Sequence, residues 1–339
     1  MSPCRKANHV ADIQNLAIVV VTFKRQNLLT KLFDSFCELT RAPWRIVIVD
    51  NENSPETEQM VSDLNERCVA RWGNAETDSE GGAQRVVYAP QTENLGGAGG
   101  FSAGVQHAYH LGAEWFWVMD DDVTVRPDAL ELLEPWTHTH RVIQGSRLDY
   151  DGGPFYWQYD FIVPLGIPNP IAPAAFGEEG YRSMNTLCFE GGLFARSIID
   201  EIGFPDPRFF IYWDDTIYGY LASKVTDSIV IADLILQRSR DIPNWDIAGV
   251  RQLNGTSDMN RYHIMRNRGY MMQYFRLHGD YNRFMFGLGT AATFAKELIR
   301  LIAVDHTLKT GIPALFRGMR DARKIYRDTS WKPMPPLKG

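Results

Sequence analysis

Paired sulfur is missing from this 339-residue chain. Its four cysteines, Cys4, Cys37, Cys68 and Cys188, stand far apart and none belongs to a CxxC pair. That argues against a disulfide framework or a structural zinc site, and unpaired thiols suit a reducing cytoplasm. Long apolar runs are missing too. The best, Phe284 to Ala295, has 12 residues and includes two glycines, short of the roughly 18 that a spanning helix needs. Met1 to Val10 lacks the apolar stretch of a signal peptide. No GxxxxGK segment occurs, so no P-loop is expected. Nor is positive charge in excess. The 41 acidic residues outnumber 35 basic ones, for a formal charge of −6, which argues against a general nucleic-acid binder. What remains is an ordinary globular composition, 45% apolar and 22% charged, long enough for one large domain or two small ones.

The mean charge hides an asymmetry. Residues 261–339 hold 15 basic and 5 acidic side chains, a net +10, so the first 260 residues carry −16. A basic tail on an acidic body points to an anionic phospholipid surface or a diphosphate-linked lipid. The alternatives are a solvated helical face, a helix pair covering the body, or a dimer face, which would make the chain a homo-oligomer.

Leu16 to Val21 (LAIVVV) is a continuous β-branched run and predicts a buried parallel strand. Leu28, Leu29, Leu32, Phe33, Phe36 and Leu39 follow at helical spacing. Arg45 to Val49, Arg85 to Ala89 and Trp115 to Met119 predict further strands, with helices at Glu56 to Glu66 and Gly99 to Leu111 between them. Strand and helix alternating in this way mean βαβ units and a parallel sheet, with the ligand crevice beyond the carboxyl ends of the strands. The polar residues expected there are Thr22 to Arg25, Asp50 to Asn53 and Asp120 to Asp122. Further on, Gly152 to Gly180 reads as a long loop or irregular hairpins. Thr186 to Phe189 reads as a short strand, Arg196 to Glu201 and Asp214 to Lys224 as helices, and Ser228 to Ala232 as a strand. Beyond Asn260 the pattern is helical to about Arg327.

Asp120, Asp121 and Asp122 directly follow an apolar strand. Three adjacent acids repel one another and call for a positive partner. A hard divalent cation, Mg²⁺ or Mn²⁺, suits oxygen ligands, and it is usually completed by substrate phosphates. Asn94 to Phe101 (NLGGAGGF) holds four glycines in five positions at a helix entry, more than a tight turn needs, and predicts close backbone approach to an anionic ligand. It is not the dinucleotide fingerprint: Ser102 stands where a third glycine or alanine belongs, and the segment follows the third strand rather than the first. An NAD-linked oxidoreductase is therefore disfavoured. Asp214 and Asp215 close an aromatic run, FFIYWDD. Acids at a helix start serve as caps, but in an aromatic wall a carboxyl can also act as a general base, with Trp213 as a flat platform for a sugar ring.

Together VVVTFKR, IVIVDN, NLGGAGGF, WVMDDD and YWDD resemble, in order and spacing, the inverting glycosyltransferases of family 2. The likeness covers Leu16 to about Lys224 and is greatest to bacterial galactofuranosyltransferases; rhamnosyltransferases share the first four motifs. It implies an α/β GT-A fold, a Rossmann-like, mostly parallel sheet flanked by helices, over residues 1–260, with a helical basic region over 261–339. By the same resemblance Thr22 and Arg25 contact the nucleotide and Asp50 sits near base or ribose. Asn94 and Gly97 line the donor pocket, and Asp121 reaches donor hydroxyls. Asp120 and Asp122 hold Mn²⁺ or Mg²⁺ against the diphosphate. Asp215 deprotonates the acceptor, Asp214 binds it, and Trp213 stacks on sugar. The implied partners are a UDP-galactofuranose donor and a polyprenyl-diphosphate-linked glycan acceptor, at the inner face of the plasma membrane, in cell-envelope polysaccharide synthesis. A dTDP-rhamnose donor, or a nucleotide-sugar-binding scaffold without catalysis, is the rival expectation.

One departure bears on the metal. The family's Trp-His pair downstream of WDD has no counterpart, since Thr226 to Asn260 contains no histidine. Gln237 takes the approximate place, and His263 is the nearest downstream histidine, expected as a substitute ligand or a phosphate contact. In the same segment Arg266 and Asn267 are expected to help with donor phosphate or acceptor. Phe294, Leu298, Leu301 and Ile302, alternating with Lys296 and Arg300, and the cluster Arg317, Arg320, Arg323, Lys324 and Arg327, predict an amphipathic basic surface that meets an anionic leaflet.

Overall fold

The computed structural model describes residues 14–338 apart from 81, 154, 156–157, 172–174, 243 and 248–249. Cys4 and Met1 to Val10 lie outside the described residues. The first half alternates as expected: β1 (Leu16–Thr22), α1 (Gln26–Glu38), β2 (Arg45–Asp50), α2 (Pro55–Trp72), β3 (Val86–Pro90), α3 (Gly96–Leu111) and β4 (Trp115–Asp120). Then come β5 (Val123–Val125), α4 (Ala129–Thr137), β6 (Val142–Leu148), a hairpin of β7 (Tyr159–Ile162) and β8 (Ile167–Pro170), and β9 (Tyr181–Met184). The body closes with β10 (Gly192–Ala195), α5 (Arg196–Ile202), α6 (Asp214–Ala222), β11 (Ser228–Arg238) and a hairpin of β12 (Asn244–Ile247) and β13 (Val250–Asn254). Helices α7 (Asp258–Arg266), α8 (Arg268–Leu277), α9 (Arg283–Arg300) and α10 (Leu308–Arg327) complete the chain.

The main sheet runs β3-β2-β1-β4-β10-β6-β11-β5, with β9 on β11. The first four strands are parallel. The sheet is mixed beyond them, because β10 enters antiparallel between β4 and β6. Alternation along β1 shows why it reads as unbroken hydrophobic sequence. Leu16, Ile18 and Val20 pack on α1, while Ala17, Val19 and Val21 pack under α3. Both faces are covered, so Leu16 to Val21 are all apolar, and the first polar side chain, Thr22, comes at the strand's end.

The strand expected at Thr186 to Phe189 is a correction: those residues form a loop, and the strand begins at Gly192. Gly191 turns the chain at φ +99°, placing Glu190 toward the interior and leaving GLFA to pair. Most of the glycine-rich segment is a second correction. A Cβ on Gly96 would lie 2.2 Å from the Phe210 carbonyl oxygen, and one on Gly100 would lie 2.5 Å from Val21 Cγ1. Those glycines, with Gly99 against Leu95, let α3 pack closely; only Gly97 has open space before it.

Candidate active site

A cavity of about 920 Å³ lies beyond the carboxyl end of β4. Of the residues expected at the site, Arg25, Gly97, Asp120, Asp122, Trp213, Asp214 and Asp215 line it. The end of β4 and the start of α6 thus bring two carboxylate groups, nearly a hundred residues apart in sequence, to one space.

The acidic end of β4 is held from β1. Thr22 Oγ1 donates to Asp121 Oδ2 at 2.7 Å, and Arg25 Nη1 donates to Asp121 Oδ1 at 2.8 Å and Asp122 Oδ2 at 3.4 Å. Both Asp121 oxygens are therefore engaged, and Thr22 and Asp121 stand behind the cavity wall as its support. Arg240 approaches Asp122 at 4.0 Å. Asp120 has no side-chain hydrogen bond among the described residues. Burial, with Asp122, Glu190 and Asp121 nearby, pushes its carboxyl well above the usual range, opposed by Arg25. Such a carboxyl beside Asp122, facing a cavity, suits a divalent cation shared with a ligand's phosphate oxygens. Among the described residues no three His, Cys, Asp or Glu side chains converge as a complete metal-ligating group.

His263 is not with them. It is buried, its ring stacks on Phe210 at 4.9 Å, and burial followed by Arg266 lowers its pKa to about 4. It is a neutral packing residue near the aromatic run. Gln237 turns its amide to the carbonyls of Asp149 and Tyr150. Asp50 is fully buried and serves its own loop, accepting from the Glu52 and Ser54 N–H groups and the Tyr88 hydroxyl at 2.8–2.9 Å. Asn94 accepts from the Gly96 N–H at 2.9 Å and faces solvent. Neither lines the cavity: the ends of β1 and β4 meet there through Arg25, Asp120 and Asp122, as expected, while the end of β2 does not reach it.

The second acidic pair sits on strained backbone. Phe210, Tyr212 and Trp213 have φ of +65°, +68° and +72°, a region costing non-glycine residues about 1–3 kcal/mol each unless the surroundings fix them. The fixing comes from α7 and α8. Asn267 Nδ2 lies within 2.9 Å of the carbonyl oxygens of Phe209, Ile211 and Tyr212. Arg266 Nη2 donates to those of Arg208 and Phe209, and the Trp213 indole donates to Ile264 O at 3.1 Å. Arg266 and Asn267 therefore brace the loop that carries Asp214 and Asp215, rather than meeting a ligand as the sequence suggested. Asp215 Oδ1 accepts from the Thr216 N–H at 2.5 Å and from its hydroxyl at 3.1 Å. Burial raises both carboxyls, that of Asp214 to about 8, while the Thr216 and Cys188 donors favour ionised Asp215.

Sequence reasoning missed Glu190. It lines the cavity, is buried, and takes two hydrogen bonds from Arg238 Nη2, at 2.9 and 2.7 Å. Burial raises its carboxyl to about 7 against the pull of Arg238. The available signal was a lone acid inside an apolar stretch, LCFEGGLFA. The far wall comes from α9 through Ala292, Thr293, Lys296, Glu297 and Arg300.

A mostly parallel sheet between helical layers, with acids at a strand end facing a second acidic pair, is the GT-A architecture. The family model described as glycosyl transferase family 2 matches residues 17–203, and the chain belongs to that family. It is 29% identical over 212 residues to galactofuranosyltransferase GlfT1 of Mycolicibacterium smegmatis, covering 58% of this chain and 61% of that protein. With the GlfT1 of Mycobacterium tuberculosis it shares 29% over 218 residues, covering 60% and 62%. The chain thus spans about three fifths of the length of the curated relatives it matches. Among solved structures, S. aureus TarS 1–349 superposes with a TM-score of 0.54 at 12% identity, covering 93% of this chain and 81% of that one. Its complex with UDP-GlcNAc superposes at 0.57, also at 12% identity, covering 92% and 82%. At that identity the likeness is one of fold.

Proposed function

We propose that this chain transfers galactofuranose from UDP-galactofuranose to a lipid-linked glycan, with inversion. The observation that carries this is the meeting of Asp120 and Asp122 with Asp214 and Asp215 on one cavity. The relatives' names support the sugar, and the TarS complex supports a uridine-diphosphate donor. The acceptor hydroxyl attacks the anomeric carbon as the bond to the diphosphate oxygen breaks. Its proton passes to the Asp215 carboxylate, and UDP leaves. A single displacement needs no covalent nucleophile and inverts the centre. Asp120 and Asp122 would hold Mn²⁺ or Mg²⁺, whose charge neutralises the leaving diphosphate. Trp213 offers a flat face to the acceptor sugar and Asp214 a hydrogen bond. Residues 1–260 carry donor and chemistry, and 261–339 close the acceptor side and approach the membrane.

The test is a donor screen with Mn²⁺ against EDTA. Transfer from UDP-galactofuranose that EDTA abolishes is expected. Turnover with dTDP-rhamnose alone would replace the donor, and none with any donor would leave a binding scaffold.

Gly97 gives a second test. Because its Cβ position faces open cavity, Gly97→Val should fold with an unchanged melting temperature but raise donor KM at least about tenfold through intrusion into the donor space. Gly96→Ala should instead destabilise, from positive φ and the Phe210 clash. Equal donor affinity in Gly97→Val and wild type would move the donor elsewhere.

A further inference from the structure

Helix α9 has two faces with different tasks. One edge lines the cavity. On the other, Phe284, Leu288, Ala291, Ala295, Ile299 and Ile302, the last just past its end, recur at spacings of three and four, which makes one row. The large members are exposed: Phe284 72%, Leu288 49%, Ile299 51% and Ile302 55%. The residues singled out from sequence are not this row, since Leu301 is fully buried and Phe294 and Leu298 are partly covered. An apolar row roughly 27 Å long at 1.5 Å per residue is uncommon on a solvated surface. Phe294 meets Phe316 of α10 at 5.6 Å, so α10 flanks the row on one side. Its exposed face carries Phe316 with Lys309, Arg320, Arg323 and Arg327 at the same helical spacing. On the row's other side lie Ala292 and Lys296, which belong to the cavity wall.

We infer that this row lies flat on an anionic bilayer. The apolar side chains enter the headgroup boundary, the α10 cations meet lipid phosphates, and the cavity mouth is held beside the surface. Charge complementarity selects this occupant, because a second copy would bring the same basic α10 face against its own. No helix among the described residues is long and apolar enough to cross a membrane, which agrees with a helix seated in the interface plane. The inference deepens, and for its purpose rests on, the reading that the acceptor is lipid-linked: an acceptor on a polyprenyl anchor would reach the cavity without leaving the membrane.

The experiment is flotation of the full chain with phosphatidylcholine vesicles, with or without about 30% phosphatidylglycerol, beside transfer to a short water-soluble acceptor glycoside. Wild type should float only with anionic vesicles. Leu288→Glu/Ile299→Glu, and separately Arg323→Glu/Arg327→Glu, should each lower the bound fraction at least about tenfold. Both double variants should keep the wild-type melting temperature and the rate with the soluble acceptor. Flotation of the Leu288→Glu/Ile299→Glu variant like wild type would overturn the inference, as would failure of wild type to bind anionic vesicles. A wild-type dimer that this variant dissociates, without vesicle binding, would assign the row to a second copy instead. Flotation that depends on the row, with no transfer to any acceptor, supports the surface and counts against the transferase reading alone.

Discussion

Asp215→Asn lowers turnover about 10³-fold, within the 10²–10⁴ that a positioned general base contributes, and leaves donor KM near wild type. The amide keeps the oxygen that accepts from Thr216 but cannot take up a proton. The loop braced by Asn267 is untouched, so the loss falls on kcat. Wild-type turnover in this variant would remove Asp215 as the base. Asp214→Asn separates the partners. Burial and Asp215 raise the Asp214 carboxyl to about 8, so near neutral pH it is protonated and can donate to an acceptor oxygen. An amide also donates, so Asp214→Asn loses far less turnover. Its stability has a defined sign. A carboxyl raised in the folded state contributes stability that is full below about pH 4 and disappears as pH rises through about 8. The asparagine has no charge to desolvate. Its melting temperature should match wild type near pH 4 and exceed it by a growing margin toward pH 8. The wild-type rate should climb as Asp215, whose carboxyl burial raises, loses its proton, and fall again as Asp214 ionises through about 8. Thermal scans and a kcat profile across pH check both, and a flat profile would place the proton acceptor elsewhere.

The parallel half of the sheet was legible because burial on both faces leaves the middles of β1, β2 and β4 apolar, with polar residues only at their ends, and because the intervening helices repeat at 3.6 residues. The other half was not. β10 enters between β4 and β6 through antiparallel pairing that no local pattern encodes. In TLCFEGGLFA two apolar stretches compete for the strand, and it is GLFA that pairs, with Glu190 turned to Arg238. The carboxylate clusters could be read as sequence because each is contiguous, and Arg25 could be placed beside them because it follows β1. Glu190 with Arg238, and Asn267 with the 209–212 carbonyls, are partners 48 and more than 50 residues apart, and nothing in either segment names the other. Asp50 shows the opposite failure. An acid at a strand end has the look of a ligand contact whether it faces a cavity or, as here, caps the turn that follows.

Arg238→Met should lower the melting temperature by on the order of 10 °C near pH 8, from the ~3–5 kcal/mol cost of leaving a buried partner uncompensated and the ~2–4 °C that each kcal/mol moves a large domain. Glu190 is the partner, buried and held by two bonds from Arg238. Its carboxyl is raised to about 7 even with the arginine present, so it contributes stability below about pH 4 that is lost through about pH 7. Without Arg238 that penalty deepens and extends upward. The gap between variant and wild type should therefore be small near pH 5, where the carboxyl is neutral in both, and widest near pH 8. Glu190→Gln/Arg238→Met removes the charge with its partner and should recover much of the loss. If the double variant melts with the single one, or the gap does not change with pH, Arg238 acts by packing on Phe155, 4.8 Å away, and not by charge. The same pair bears on the chemistry. Glu190 and Asp122 repel each other across the cavity wall, so an uncompensated Glu190 adds negative potential where a diphosphate must bind. Arg238→Met should then weaken donor binding more at pH 8 than at pH 6, a dependence that a purely structural arginine would not produce.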